Sequence, residues 1–130
     1  MELKVNIIRE DVFILLEDVY VEVMGYRITV KAGFDFDGAS IPMALWSVFG
    51  NPLSGKFRIA ALVHDALYAS QILEKYECDN IFLELMEMHN VGYIKRYSMY
   101  NAVKALGGVA WEDNQDELEK YKKFVNLIML

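Results

Sequence analysis

A chain of 130 residues, 55% apolar and 13% aromatic, can bury one core and has little room for a second. Its net charge of −6 argues against a nucleic-acid backbone binder, which needs clustered Lys and Arg. The single cysteine, Cys78, cannot close an internal disulfide and suits a reducing cytoplasm; no stretch approaches the ~20 apolar residues of a spanning helix, and Met1-Glu2-Leu3-Lys4 does not open a signal peptide.

Residues 3 to 31 read as three or four antiparallel strands. Apolar and polar residues alternate around Val5 and Ile7, through Val19, Val21 and Val23, and through Tyr26, Ile28 and Val30, while Val12-Phe13-Ile14-Leu15-Leu16 is a short buried run. Glu17-Asp18 and Met24-Gly25 are the turn candidates. Residues 33 to 42 form an ordered loop around Asp37-Gly38, with Ser40 before Ile41-Pro42 as a helix entry. A short helix through Ala44, Trp46 and Phe49 is expected to end at Gly50-Asn51-Pro52.

From Lys56 the period becomes helical: Phe57, Ala60, Ala61, His64, Tyr68 and Ile72 share one face, and Asp65 lies about 100° round from His64. Asp79 is expected near the start of a second helix that ends at His89-Asn90-Val91-Gly92. A third runs from Ile94 to Gly107-Gly108. Beyond Trp111 come an acidic stretch, 112–117, and a mixed-charge amphipathic tail. Strands first and helices afterwards give an α+β single domain, with three to five helices in a helical part spanning 43–130.

Polar residues concentrate in the segment from Gly33 to Asp79. An inward histidine must be hydrogen-bonded, and Asp79 could orient His64 so that its other ring nitrogen takes a proton from water. Asp35, Asp37 and Asp65 are oxygen ligands of the kind Ca²⁺ or Mg²⁺ prefers. The plain structural readings stand beside these: His64 as a core strut, Asp79 as a helix-dipole partner, Asp35 and Asp37 as turn formers, Tyr68 and Trp46 as core residues. Ser40 is expected to cap a helix and to be a poor nucleophile without a base beside it. One Cys and two His without paired spacing argue against structural zinc.

Phe36-Asp37-Gly38-Ala39-Ser40-Ile41-Pro42, Trp46, Ala60 to Tyr68, Cys78 to Phe82, Met99 to Val103 and Trp111 together resemble domain-of-unknown-function family 1353 of small phage and prophage proteins. That resemblance implies a phage-encoded protein in the host cytoplasm. Locally, His64-Asp65-x-x-Tyr68 followed by Asp79 is similar to the catalytic helices of secreted phospholipases A2. The likeness implies His64 as base, Asp65 as calcium ligand, and Tyr68 and Asp79 as its orienters.

The expected function is a small hydrolase. His64, with Asp79 and Tyr68, would activate water, a divalent ion would sit on Asp65, Asp37 and Asp35, and Ser40, Asp37 and Trp46 would hold the substrate. A phosphodiester such as a nucleotide signal of host defence is the expected substrate, which makes counter-defence the biological role. The alternatives are a protein that sequesters a small ligand without turnover, a virion assembly or accessory protein, and a phospholipase-like ester hydrolase. The apolar tail, Phe124 to Leu130, offers a surface for homo-oligomerisation.

Overall fold

The structure is a computed structural model that describes residues 3–9, 12–38, 40–42, 45 and 55–130. The expected helix around Trp46 falls outside the described residues. Strands β1 (Val5–Arg9) and β2 (Val12–Leu15) pair antiparallel, and β5 (Asp35–Phe36) adds to the free edge of β2. Strands β3 (Val19–Val23) and β4 (Tyr26–Val30) form a hairpin in a second sheet. Its two-residue loop, Met24-Gly25, has positive φ at both positions (52° and 81°), the hairpin turn that matches strand twist. β3 follows the expected alternation, with Val19, Val21 and Val23 buried and Tyr20 and Glu22 exposed.

Helices α1 (Arg58–Ser70), α2 (Lys75–Met88) and α3 (Tyr93–Leu106) follow, then α4 (Gly108–Asp113), a 3₁₀ turn (Asn114–Glu117) and α5 (Leu118–Lys122). The chain closes with β6 (Val125–Met129), which pairs with β4 from Tyr26↔Met129 to Val30↔Val125. The architecture is therefore α+β, with two small antiparallel sheets ordered β1-β2-β5 and β3-β4-β6. The expectation of a helical part reaching residue 130 is corrected at its end. β4 leaves an open row of N–H and C=O groups that the β-branched tail satisfies, and sequence-distant pairing of this kind is invisible to local periodicity.

Helix α1 is the centre of the molecule. It packs against α2, α4 and α5 and against β4, β5 and β6. Burial exceeds the amphipathic expectation: every residue from Ile59 to Ser70 is buried, not one stripe of them. A helix enclosed on all sides should carry no polar group without a purpose. Its interior polar residues are His64, Asp65 and the terminal Ser70.

Candidate functional site

His64 is fully buried, with its ring held between Tyr68 (centroids 4.3 Å apart) and Phe82 (4.6 Å). Both ring nitrogens have partners: Nε2 lies 2.8 Å from Asp79 Oδ1, and Nδ1 lies 2.9 Å from Ser40 Oγ. Tyr68 OH donates to the same Asp79 oxygen (2.8 Å), and Lys75 Nζ donates to the other (2.8 Å). At the far end Asp65 accepts from the backbone N–H of Gly38 (2.8 Å) and Ser40 (3.1 Å), and from the Ser40 hydroxyl. Gly38 takes φ +76°, and the turn it makes carries both amides over Asp65. A continuous line of hydrogen bonds thus runs Asp65–Ser40–His64–Asp79–Lys75.

Protonation follows from these partners. Burial alone would raise the Asp79 carboxyl, but the His64 hydrogen bond, then those of the Lys75 ammonium and the Tyr68 phenol, hold it below the usual carboxylate range. Burial pushes His64 below its ordinary value, against the opposing pull of Asp79, so the ring is neutral. The standing positive charge beside Asp79 is then Lys75. An ionised carboxylate only accepts, so the proton of neutral His64 sits on Nε2 and Nδ1 presents its lone pair to Ser40, whose single hydroxyl proton goes to Asp65 or to Nδ1 in turn, and to Nδ1 when Asp65 is itself protonated. Burial pushes the Tyr68 phenol upward, which keeps it a donor. Asp65 is raised to about 6, first by burial and then, against its hydrogen bonds, by the charge of Asp37.

Ser40 and Asp65 are also part of the wall of a cleft of about 450 Å³, a size suited to a small ligand. Phe34, Phe36, Val12 and Ala69 supply apolar wall, and Asp35, Asp37, Asp113 and Glu117 supply carboxylates. Tyr121 OH donates to Asp35 Oδ2 (3.1 Å). No Lys, Arg or His is among the described lining residues.

The sequence-predicted residues divide accordingly. His64, Asp79, Tyr68 and Ser40 are brought together in one network, Asp35 and Asp37 lie along the cleft, and Trp46 is outside the described residues. Tyr68 and Asp79 do fix His64, as orienters would, but the second ring nitrogen meets Ser40 instead of open water. Asp79 is not in the first turn of its helix, since α2 starts four residues earlier at Lys75. Ser40 spends its hydroxyl on His64 and Asp65. Both Asp65 oxygens are engaged, and among the described residues no group of three or more His, Cys, Asp or Glu could hold a metal ion. Asp35, Asp37 and Asp65, the residues expected to hold a divalent cation, all line the cleft.

Two residues of the site were missed. Lys75 stands four positions before Asp79, a helical ion-pair spacing that could have been read. Gly107 lies where a Cβ would come 2.7 Å from Tyr68 OH and 2.5 Å from the Val103 carbonyl oxygen, so only glycine lets the chain cross there undisturbed.

The family described as Protein of unknown function (DUF1353) matches residues 13–103. The chain belongs to that family. A relative from Sinorhizobium fredii, the uncharacterized protein y4jT, is 31% identical over 83 residues, which are 64% of this chain and 25% of that protein. The chain thus spans about a quarter of the curated relative it matches. No solved structure matches. The DUF1353 match takes in the whole line from Ser40 to Asp79, while Gly107, Asp113, Glu117 and Tyr121 of the cleft lie beyond it. No helix among the described residues is long and apolar enough to cross a membrane.

Proposed function

We propose that this DUF1353 chain is a serine hydrolase of small neutral or cationic esters or amides. One observation carries the reading: Ser40 Oγ, on the wall of the cleft, is 2.9 Å from a histidine nitrogen whose partner nitrogen is 2.8 Å from a buried aspartate. The nitrogens are exchanged relative to the arrangement in which Nε2 faces the serine, but the roles are the same. Ser40 Oγ attacks the substrate carbonyl carbon as its proton passes to Nδ1. The C–O or C–N bond then breaks as Nδ1 returns that proton to the leaving group. Water attacks the acyl-serine as it gives a proton to Nδ1, and Nδ1 then returns that proton to Ser40 Oγ as the acyl–Oγ bond breaks and the acid leaves.

This reading is preferred to water activation by His64 alone because, among the described residues, Ser40 and not His64 lines the cleft. A phosphodiester, including a nucleotide signal, fits the cleft less well: its negative charge would face Asp35, Asp37, Asp65, Asp113 and Glu117 without a described lining cation. The phage setting implied by the resemblance belongs to the same proposal, as does the cytoplasmic location, which the buried free thiol of Cys78 supports.

The test is covalent labelling with a fluorophosphonate, read by intact mass, beside turnover of a panel of chromogenic esters. Wild type should take one adduct on Ser40, and Ser40→Ala and His64→Ala should take none. Labelling that survives in Ser40→Ala, or tight ligand binding with neither adduct nor turnover, would replace the hydrolase by a sequestering protein.

A further inference from the structure

The ammonium of Lys75 lies 2.8 Å from Asp79 Oδ2, 3.1 Å from the carbonyl oxygen of Val103 and 3.4 Å from that of Lys104. It sits 5.9 Å from the centre of the Tyr68 ring. Asp79 Oδ1 is left to Nε2 of His64 and the phenol of Tyr68. We propose that Lys75 is the positioning residue of this site: it fixes the Asp79 carboxylate as an acceptor, which fixes the histidine tautomer that can take the proton of Ser40. The inference rests on the serine-hydrolase reading for its kinetic consequence, but not for its structural one.

Asp79 is nearly inaccessible (2% exposed), and burial by itself favours its neutral form. Among the described residues the groups that face it are His64 and Tyr68 from α1 and Lys75 and Cys78 from α2, while the Val103 and Lys104 carbonyls from α3 face Lys75. Asp65 stands beyond Ser40. Tyr68 and Cys78 are both pushed upward by burial and remain neutral donors. With His64 neutral, Lys75 is the only cation in that set. If Asp79 gained a proton, its O–H would donate to Nε2, the ring proton would move to Nδ1, and Nδ1 could no longer accept from Ser40. The same ammonium ties Asp79 to the last turn of α3 at Val103 and Lys104, the latter three residues before Gly107.

Lys75 lines no part of the cleft, so its loss should change kcat and leave KM close to its wild-type value. The experiment compares wild type, Lys75→Met and the charge-conserving Lys75→Arg. Turnover of a neutral chromogenic ester is followed across pH, with ¹⁵N chemical shifts of the His64 imidazole recorded over the same range. Lys75→Met should lower kcat at least tenfold near neutral pH, move the acidic limb of the profile upward, and show the Nδ1–H tautomer at pH values where wild type shows Nε2–H. Lys75→Arg should restore part of both. A merely structural lysine would lower thermal stability in Lys75→Met yet leave pH limb and tautomer in place, and that result overturns the proposal. The NMR signal needs no substrate: if no ester is turned over but the tautomer shifts as expected, the hydrolase reading falls and the positioning role stands. Turnover with an unmoved tautomer has the opposite meaning.

Discussion

The two ends of the hydrogen-bonded line are buried carboxylates with opposite behaviour. Asp79 and Asp65 are both inaccessible, and each accepts three hydrogen bonds. Yet Asp79 is held low while Asp65 is raised to about 6. Donors alone do not offset the cost of burying a charge: the His64 hydrogen bond, then those of Lys75 and Tyr68, hold Asp79 down, whereas burial, and then the charge of Asp37, raises Asp65. Asp79 has the Lys75 ammonium on it, whereas Asp65 has Asp37 near it and is held by two backbone amides and a hydroxyl. The chain therefore has a fixed negative end, away from the cleft, and a titratable end on the cleft wall, with Ser40 and His64 between them.

Removing the connection gives the largest effect. His64→Ala takes the Nε2–H from Asp79, strands Ser40 between fewer partners and leaves a cavity between Tyr68 and Phe82. The cost should be about 3–4 kcal/mol in urea denaturation, together with loss of ester turnover by three orders of magnitude or more. A loss below about 1 kcal/mol would mean that Asp79 is satisfied without the histidine.

The titratable end gives the next effect. Asp65 holds a proton in the folded chain up to about pH 6, against an ordinary value of 3.8. The folded state therefore binds a proton that the unfolded chain has already released. This contribution to stability is fully present below about pH 4 and is lost as pH rises through about 6. Asp65→Asn should remove it: relative to the variant, wild type should lose on the order of 2–3 kcal/mol between roughly pH 4 and pH 7. Urea midpoints at the two pH values measure this, and a pH-independent difference would show that folding takes up no proton at Asp65. Catalysis carries a second signature. Ionised Asp65 competes with His64 for the Ser40 proton, so Asp65→Asn should flatten the part of the rate profile near pH 6.

Much of this architecture was legible in the sequence because it is locally encoded. Alternation around Val19–Val23 and Tyr26–Val30 marked the hairpin, and Met24-Gly25 marked its turn. The 3.6-residue period marked α1, and a lone buried histidine required a partner that Asp79 supplies. What stayed hidden depends on sequence-distant meetings. β6 finds β4 across most of the chain, and Ser40 meets His64 from a loop 24 residues away. A serine in a turn-prone loop looks like a cap until the base beside it is placed. The start of α2 was readable but misread: Glu74 and Glu77 form a capping box, which puts Asp79 in the second turn beside Lys75 instead of at the helix entry.

The fixed end is tested more gently at Gly107. A methyl group there meets the Val103 carbonyl and Tyr68 OH, so Gly107→Ala should cost about 1–2 kcal/mol as the phenol is pushed from Asp79. Tyr68→Phe removes one of the two collision partners. A double-mutant cycle between the two changes should give a coupling above about 0.5 kcal/mol, and additive costs would place the strain on the backbone alone.

The smallest stability effect belongs to the outer cleft wall. Asp113 and Glu117 are exposed, lie beyond the DUF1353 match, and bring negative charge to a cleft that already holds Asp35, Asp37 and Asp65. Screened surface charges contribute little to folding, so Asp113→Asn with Glu117→Gln should change unfolding free energy by less than about 0.5 kcal/mol. Their effect on ligands should be larger, because charges of one sign around a cleft concentrate counter-charged molecules at its mouth. An ester carrying an ammonium group should therefore lose rate relative to a neutral isostere in the double variant, and the wild-type ratio should itself fall as salt is raised. If the ratio is unity in wild type at low salt, the carboxylates of the outer wall do not select the substrate, and the contrast between a dry relay and a charge-selective cleft reduces to the relay alone.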